Sequence, residues 1–329
     1  MAGDDDWVTM PPVLAVGEVF RQILRGQPSD PGTDQAVLHT LNLHGLYGEW
    51  LGLLPAESLT KRWRDDLRAV QFAAMRVAAS SATASQALSS AGIPHVVYKG
   101  VAMAAQMGVD WRLRQSGDVD VLLPSDHIAG ALAALRGAGW AWESGRRKLG
   151  RAQFWAACEI TLKGAAVEID LHWRPNLSPL SLQIPVDDLI VAGETISVAG
   201  ASLPTLNAEN SAMVTIAHGG RSMWWMGKWL LDLARTVSST DPATLRQHAA
   251  RAGAHKSLAL GCAALAELDQ DAVPAVLQPG PGATGLWEQM SRRPIPVFRR
   301  GVLKSQTADS LRAEVDAFSR LAFRRLLPS

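Results

Sequence analysis

The chain has 329 residues, 47% hydrophobic and 19% charged, a composition that suits two or so ordinary domains and rules out a largely disordered protein. Lys plus Arg number 32 against 31 Asp plus Glu, for a net charge of +1, so the basic excess of a non-specific nucleic-acid binder is missing. No apolar run approaches the about 18 residues of a membrane span, the start Met1–Asp6 is acidic where a signal peptide is basic, and Cys158 and Cys262 are too few for a disulfide scaffold. A cytoplasmic protein without a membrane partner is expected.

In chain order, helical patterns cover Leu14–Leu24 and Gln35–Leu43, separated by the Gly/Pro/Asp segment Gly26–Gly32. From Ser58 to Ala91 the chain is Ala-rich and free of Pro and Gly, which predicts one long helix with Ser58 as N-cap, Gly92 as stop and Pro94 beyond it. His95–Tyr98 is a β-prone run ending at Lys99-Gly100, and Val101–Met107 reads as a helix. After the polar loop Val109–Gly117, Asp118–Leu123 reads as a buried strand closed by Pro124. Ser125 is the expected cap of a helix running to Arg136. Phe154–Leu162 and Ala165–Trp173 are strand-like and joined by Lys163-Gly164, a hairpin signal. Asn207 begins a helix to His218, Trp225–Val237 is another, and Asp241-Pro242 supplies a cap and an N1 proline for a third. Helices at Lys256–Leu268 and Ala308–Leu326 follow, with a Pro/Gly loop at Gln278–Gly285. The expected class is α+β: an N-terminal helical region over 1–92, a small mixed-sheet core flanked by helices over 93–205, and a helical C-terminal domain over 206–329.

The chemistry concentrates in the strands. Side chains at i and i+2 of a strand share a face, so Asp118 and Asp120 project together while Val119 and Val121 pack inward. Two such carboxylates repel unless a cation lies between them, and Mg²⁺, which takes oxygen ligands and keeps room for water and phosphate, fits; solvated aspartates at a strand start are the plainer alternative. In Glu168–Trp173, Glu168, Asp170 and His172 share one face and Ile169 and Leu171 the other. Acids on an otherwise apolar strand are costly to bury without a partner, although one wet face of an edge strand also accounts for Glu168. Because Asp118 and Asp120 repel each other, Asp120→Asn is expected to leave the fold nearly unchanged. Lys99-Gly100, between a strand and a helix, offers backbone N–H groups and a point charge to a phosphate, without the spaced glycines of a P-loop. Arg114 precedes the acidic pair; His218, Arg221 and Lys228 lie in the helical part, Lys228 at i−4 from Asp232.

Taken together, Tyr98-Lys99-Gly100, Arg114-x-x-Gly117-Asp118-Val119-Asp120, Glu168-Ile169-Asp170-Leu171-His172-Trp173, Ala217-His218-Gly219-Gly220-Arg221 and Lys228-Trp229-Leu230-Leu231-Asp232-Leu233-Ala234-Arg235 resemble, in this order, a largely uncharacterised bacterial nucleotidyltransferase family of the DNA polymerase beta superfamily. The resemblance spans roughly 93–237. It implies a small mixed sheet in which Asp118, Asp120 and Asp170 bind two Mg²⁺ ions, with Mn²⁺ as a substitute, and in which Asp170 helps deprotonate the acceptor hydroxyl. Many members of the superfamily carry Gly-Ser where this chain has Lys99-Gly100, so Lys99 takes the place of a serine contact. Lys99, Gly100, Arg114 and Lys228 are the candidates to hold a nucleoside triphosphate, and His172, His218 and Arg221 to face the acceptor, a small molecule or peptide; a solvated loop Arg114, a core His218 and ordinary ion pairs of Arg221 and Lys228 with residues such as Asp232 are the plainer alternatives. A phosphotransferase on the same metal site and a non-catalytic peptide-binding module are the alternatives. Of Trp224-Trp225, the sequence allows either a stacking wall for substrate or core packing.

Overall fold

The computed structural model describes residues 13–27, 34–142, 154, 157–175, 182–291 and 309. Its first helices are short. Helix α1 (Gly17–Arg25) ends where Gly26 turns left-handed, α2 (Gln35–Leu43) starts where the Asp34 carboxylate accepts from Ala36 N at 2.8 Å, and α3 (Tyr47–Leu53) follows. The long helix α4 spans Lys61–Ser90. Its N-cap is Thr60, not Ser58: Pro55 opens a 3-10 turn over Ala56–Ser58, and the Thr60 hydroxyl accepts from Trp63 N at 3.2 Å. Gly92, at φ +68°, ends it as expected.

Five strands follow: β1 (Val96–Tyr98), β2 (Asp118–Leu122), β3 (Ala141–Trp142), β4 (Glu159–Lys163) and β5 (Glu168–His172). Helix α5 (Gly100–Gln106) leaves β1, and α6 (Ile128–Gly137) follows β2. Ser125 does not cap α6; Pro124 instead opens a 3-10 turn over Ser125–His127. The spatial order is β1-β2-β5-β4-β3, with β2 and β5 parallel and every other pair antiparallel. The β4–β5 hairpin is present, but β4 begins at Glu159, later than the predicted Phe154. A second, two-stranded sheet, β6 (Glu194–Val198) with β7 (Ala201–Thr205), follows helix α7 (Val186–Val191).

Alternation along the strands gives the five-stranded sheet two unlike faces. Val119, Val121, Ile160, Leu162, Ile169 and Leu171 are buried against Val77 and Leu88 of α4 and Leu132 and Leu135 of α6. Each such side chain contributes about 1.5–3 kcal/mol through burial. The opposite face carries Asp118, Asp120, Glu159, Asp170 and His172, and turns apolar at Val96, Tyr98 and Leu122.

That second face meets the helical part. Helices α8 (Ala208–Arg221), α9 (Gly227–Ser239), α10 (Pro242–Arg251), α11 (His255–Leu268) and α12 (Pro281–Ser291) complete the described chain. Asn207 and Asp241 cap α8 and α10. Helix α12 begins inside the expected loop Gln278–Gly285; the expected helix Ala308–Leu326 lies, but for Asp309, outside the described residues. Phe20, Trp50 and Leu51 of the first helices share one core with Ile216, Leu230, Leu233 and Leu265 of the last. Polar ties join the same segments: Arg21 Nη1 donates to Leu268 O at 2.8 Å, Arg25 meets Asp269 at 3.0 Å, and Arg235 grips Glu49. Trp224 is fully buried, between two glycines: a Cβ on Gly219 or Gly261 would run into its ring. Its indole N–H donates to Ser257 O at 2.9 Å, so this Trp is core. Among the described residues no helix is long and apolar enough to cross a membrane.

Candidate functional site

Strand register assembles the floor of a cavity of about 470 Å³. Parallel pairing sets Asp120 opposite Asp170 and Asp118 opposite Glu168; antiparallel pairing sets Glu159 opposite His172 and Thr161 opposite Asp170. Thr161 Oγ1 donates to Asp170 Oδ1 at 2.6 Å and fixes that carboxylate. Glu168 does not line the cavity; it is bound by Lys163 at the sheet margin. The two acids of β5, equivalent by alternation, thus have unlike surroundings.

Asp120 is the electrostatic centre. Lys99 Nζ donates to its Oδ1 at 2.8 Å, and His172 Nε2 donates to the same oxygen at 2.8 Å. Burial alone would raise Asp120, but Lys99 and His172 outweigh it and hold the carboxyl far below its ordinary value. The other ring nitrogen of His172 lies 3.0 Å from Glu159 Oε2. Burial and Lys99 disfavour an imidazolium there, yet Glu159 and Asp120 together raise His172 well above its usual range. Asp118 moves the other way: burial, then repulsion from Asp120 and Asp170, pushes it up to about 6. Asp170 is also raised, chiefly by burial.

Lys99 reaches Asp120 from a backbone at φ 60°, ψ −162°, a region occupied almost solely by glycine that costs on the order of 1–3 kcal/mol. Its neighbour Gly100 lies close under Ser116, whose hydroxyl stands 2.7 Å from where a Cβ would be. Helix α5 has only seven residues, so the phosphate reading of Lys99 rests on its ammonium.

The helical part supplies the roof. Arg114, 5% exposed, gives Nη2 to Asp232 Oδ2 at 2.7 Å; its Nε and Nη1 are buried with no hydrogen-bond partner among the described residues. Arg114, and not Lys228, therefore takes Asp232. Lys228 Nζ lies 3.4 Å from Gln115 O, and burial and the Arg114 charge push it down to about 8. Burial, then Lys99 and Arg221, keep His218 well below its ordinary value, hence neutral. It meets Trp229 edge-to-face at 4.8 Å, and Trp229 meets Trp225 likewise at 5.6 Å. Trp225, unlike Trp224, lines the cavity.

The ten residues given a site role from the sequence (Lys99, Gly100, Arg114, Asp118, Asp120, Asp170, His172, His218, Arg221 and Lys228) all border this one cavity. Two further charged residues, given no role from the sequence, line it as well: Glu159 and Asp232. The alternation of Glu159 and Thr161 with Ile160 and Leu162 was the available signal for Glu159; a charge pair 118 residues apart leaves none for Asp232. One atom each from Asp120, Asp170 and His172 lies within 4.8 Å of the others. With Asp118 beside them, this oxygen-rich, crowded donor set fits a hard divalent cation.

Residues 34–268 match the model of a family described as an uncharacterised nucleotidyltransferase, and the chain belongs to that family. No curated protein matches the chain. Among solved structures, the antibiotic-resistance factor ANT(2'')-Ia is similar at 12% identity, covering 51% of this chain and 86% of that one, with a TM-score of 0.37.

Proposed function

We propose that this nucleotidyltransferase moves a nucleoside monophosphate from a nucleoside triphosphate to a hydroxyl of a small molecule or peptide, with Asp118, Asp120 and Asp170 holding Mg²⁺, two ions in the full site, and Mn²⁺ as a substitute. The observation that carries this reading is the register that sets Asp120 beside Asp170 on the cavity floor, under a roof of cationic side chains. Divalent ions in such a site supply positive charge for an in-line displacement at phosphorus.

The remaining roles follow from the chain's own groups. Lys99, beside Gly100, and the unpartnered Nε and Nη1 of Arg114 bind phosphate oxygens; Lys228 adds a third positive charge. Asp170, raised by burial and steadied by Thr161, takes the acceptor proton as the acceptor oxygen bonds to the α-phosphorus and pyrophosphate departs. His172 holds Asp120 in place, and neutral His218 and Arg221 border the acceptor side. Cys158 and Cys262, both free and buried, accord with a reducing cytoplasm.

The test is incubation with labelled triphosphates, Mg²⁺ and a metabolite extract, read by mass. A product heavier by a nucleoside monophosphate supports the reading. A product heavier by phosphate alone reassigns the site to phosphoryl transfer, and no product in any mixture overturns catalysis.

A further inference from the structure

Beside the Asp120 cluster, and sharing His172 with it, lies a second group of possible ligands. Cys158 Sγ is 3.6 Å from Glu159 Oε2, which is 3.0 Å from His172 Nδ1. One donor atom from each of Cys158, Glu159 and His172 lies within 4.8 Å of the others. Tetrahedral zinc, with bonds of about 2.0–2.3 Å, sets its ligand atoms roughly 3.3–3.6 Å apart, close to these separations. Cys158 and His172 are buried, and both flank the β4–β5 pairing, where Trp173 N donates to Cys158 O at 2.9 Å.

Two further observations point to a ligand. The Tyr98 hydroxyl is buried with no hydrogen-bond partner among the described residues. Its ring meets His172 edge-on at 5.4 Å. A metal-bound histidine almost always gives its other ring N–H to a carboxylate, which fixes the ring; His172 Nε2 already donates to Asp120 at 2.8 Å. The carboxylate–histidine half of such a site is built.

We propose that Cys158 Sγ, the Glu159 carboxylate and His172 Nδ1 bind one thiophilic divalent cation of the zinc class, separate from the Mg²⁺ site, with the Tyr98 hydroxyl or water at the fourth position. Binding releases the thiol proton and the Nδ1 proton and leaves Nε2–H on Asp120. The cation reaches the site from the cavity, which Glu159 borders. It ties the start of β4 to the end of β5 and locks the ring that orients Asp120.

Cobalt(II) serves as the probe, because thiolate-to-cobalt charge transfer is absent from all-oxygen and nitrogen sites. Titration of the full chain is expected to give a thiolate–cobalt band that saturates at one equivalent, bleaches with zinc and persists in excess Mg²⁺. Cys158→Ser and Cys158→Ala should abolish the band. Cys262→Ser should keep it, since Cys262 lies in α11 among apolar side chains, its thiol pushed up to about 12 by burial. Circular dichroism checks the fold of each variant. No thiolate band in the parent protein, or a band that survives in a folded Cys158 variant, overturns the proposal. If neither Cys158 variant folds, loss of the band in Cys262→Ser overturns it and retention supports it.

Discussion

At the scale of single residues, the two acids of β2 differ in what surrounds them. Asp120 balances both Lys99 and His172. Asp120→Asn therefore leaves buried Lys99 without its carboxylate and His172 with Glu159 alone, and breaking a buried pair from one side costs about 3–5 kcal/mol. A clear fall in Tm is expected, against the sequence argument that relief of repulsion keeps the variant stable. Asp118→Asn, by contrast, removes a crowded charge and should hold or raise Tm. The sign follows from its value, up from 3.8 to about 6. A carboxyl raised on folding contributes stability below its unfolded value and loses it as pH rises through the folded one. The Tm advantage of Asp118→Asn should then grow between 3.8 and about 6 and stay level above. Mg²⁺ affinity of the parent should rise over the same window, because the metal takes the deprotonated carboxylate; a flat calorimetric profile would remove Asp118 from the ligand set. Lys99 offers a further contrast. A charge-assisted contact to phosphate is worth about 1.5–3 kcal/mol, so Lys99→Ala and Lys99→Gly should both weaken nucleotide binding roughly ten- to a hundredfold. The glycine variant should nonetheless be the more stable of the two by thermal melting, since only glycine sits at φ 60°, ψ −162° without strain.

At the scale of elements, β5 tests the reading of the site. Asp170→Asn should lower single-turnover transfer by about 10²–10⁴-fold, whereas Glu168→Gln, at the margin with Lys163, should keep most of it and His172→Ala fall between. Equal losses at Glu168 and Asp170 would place the acceptor proton elsewhere. The faces of β2 and β5 were legible because period-two alternation needs no tertiary information. Glu159 is hidden in the sequence because the strand-like run from Phe154 blurs where β4 starts, and with it the face that Glu159 and Thr161 share. The β6–β7 hairpin was hidden by its turn: Ala199 and Gly200 are both left-handed, at φ 52° and 81°. That geometry usually announces itself as Asn-Gly, and alanine carries no such signal. Helix α3 went unseen because Gly48 and Gly52 lower its propensity, and α12 because Pro281, Gly282 and Gly285 read as a loop although proline suits a helix's first turn.

At the scale of the whole molecule, Arg114 and Asp232 join the loop before β2 to helix α9 through one buried pair at 2.7 Å. Asp232→Ala should cost about 3–5 kcal/mol and also weaken triphosphate binding, because the guanidinium loses the carboxylate that fixes it at the cavity wall. Loss of stability with unchanged nucleotide affinity would make the pair structural only. Neither partner was predictable as a pair: the sequence places Lys228 one turn from Asp232, and only the folded chain brings Arg114 to it.

The shared core of α1–α3 with α9 and α11 bears on how the chain is made. Its contacts join positions nearly the whole described length apart, as in Arg21 with Leu268, and such long-range closure slows folding. During synthesis, which runs from the N-terminus at about 5–20 residues per second, Phe20, Trp50 and Leu51 leave the ribosome long before Leu230, Leu233 and Leu265 exist to cover them. The five-stranded sheet has all its strands once His172 has emerged. The first helices must wait another hundred or so residues, so Phe20, Trp50 and Leu51 present an open apolar surface to aggregation through that interval.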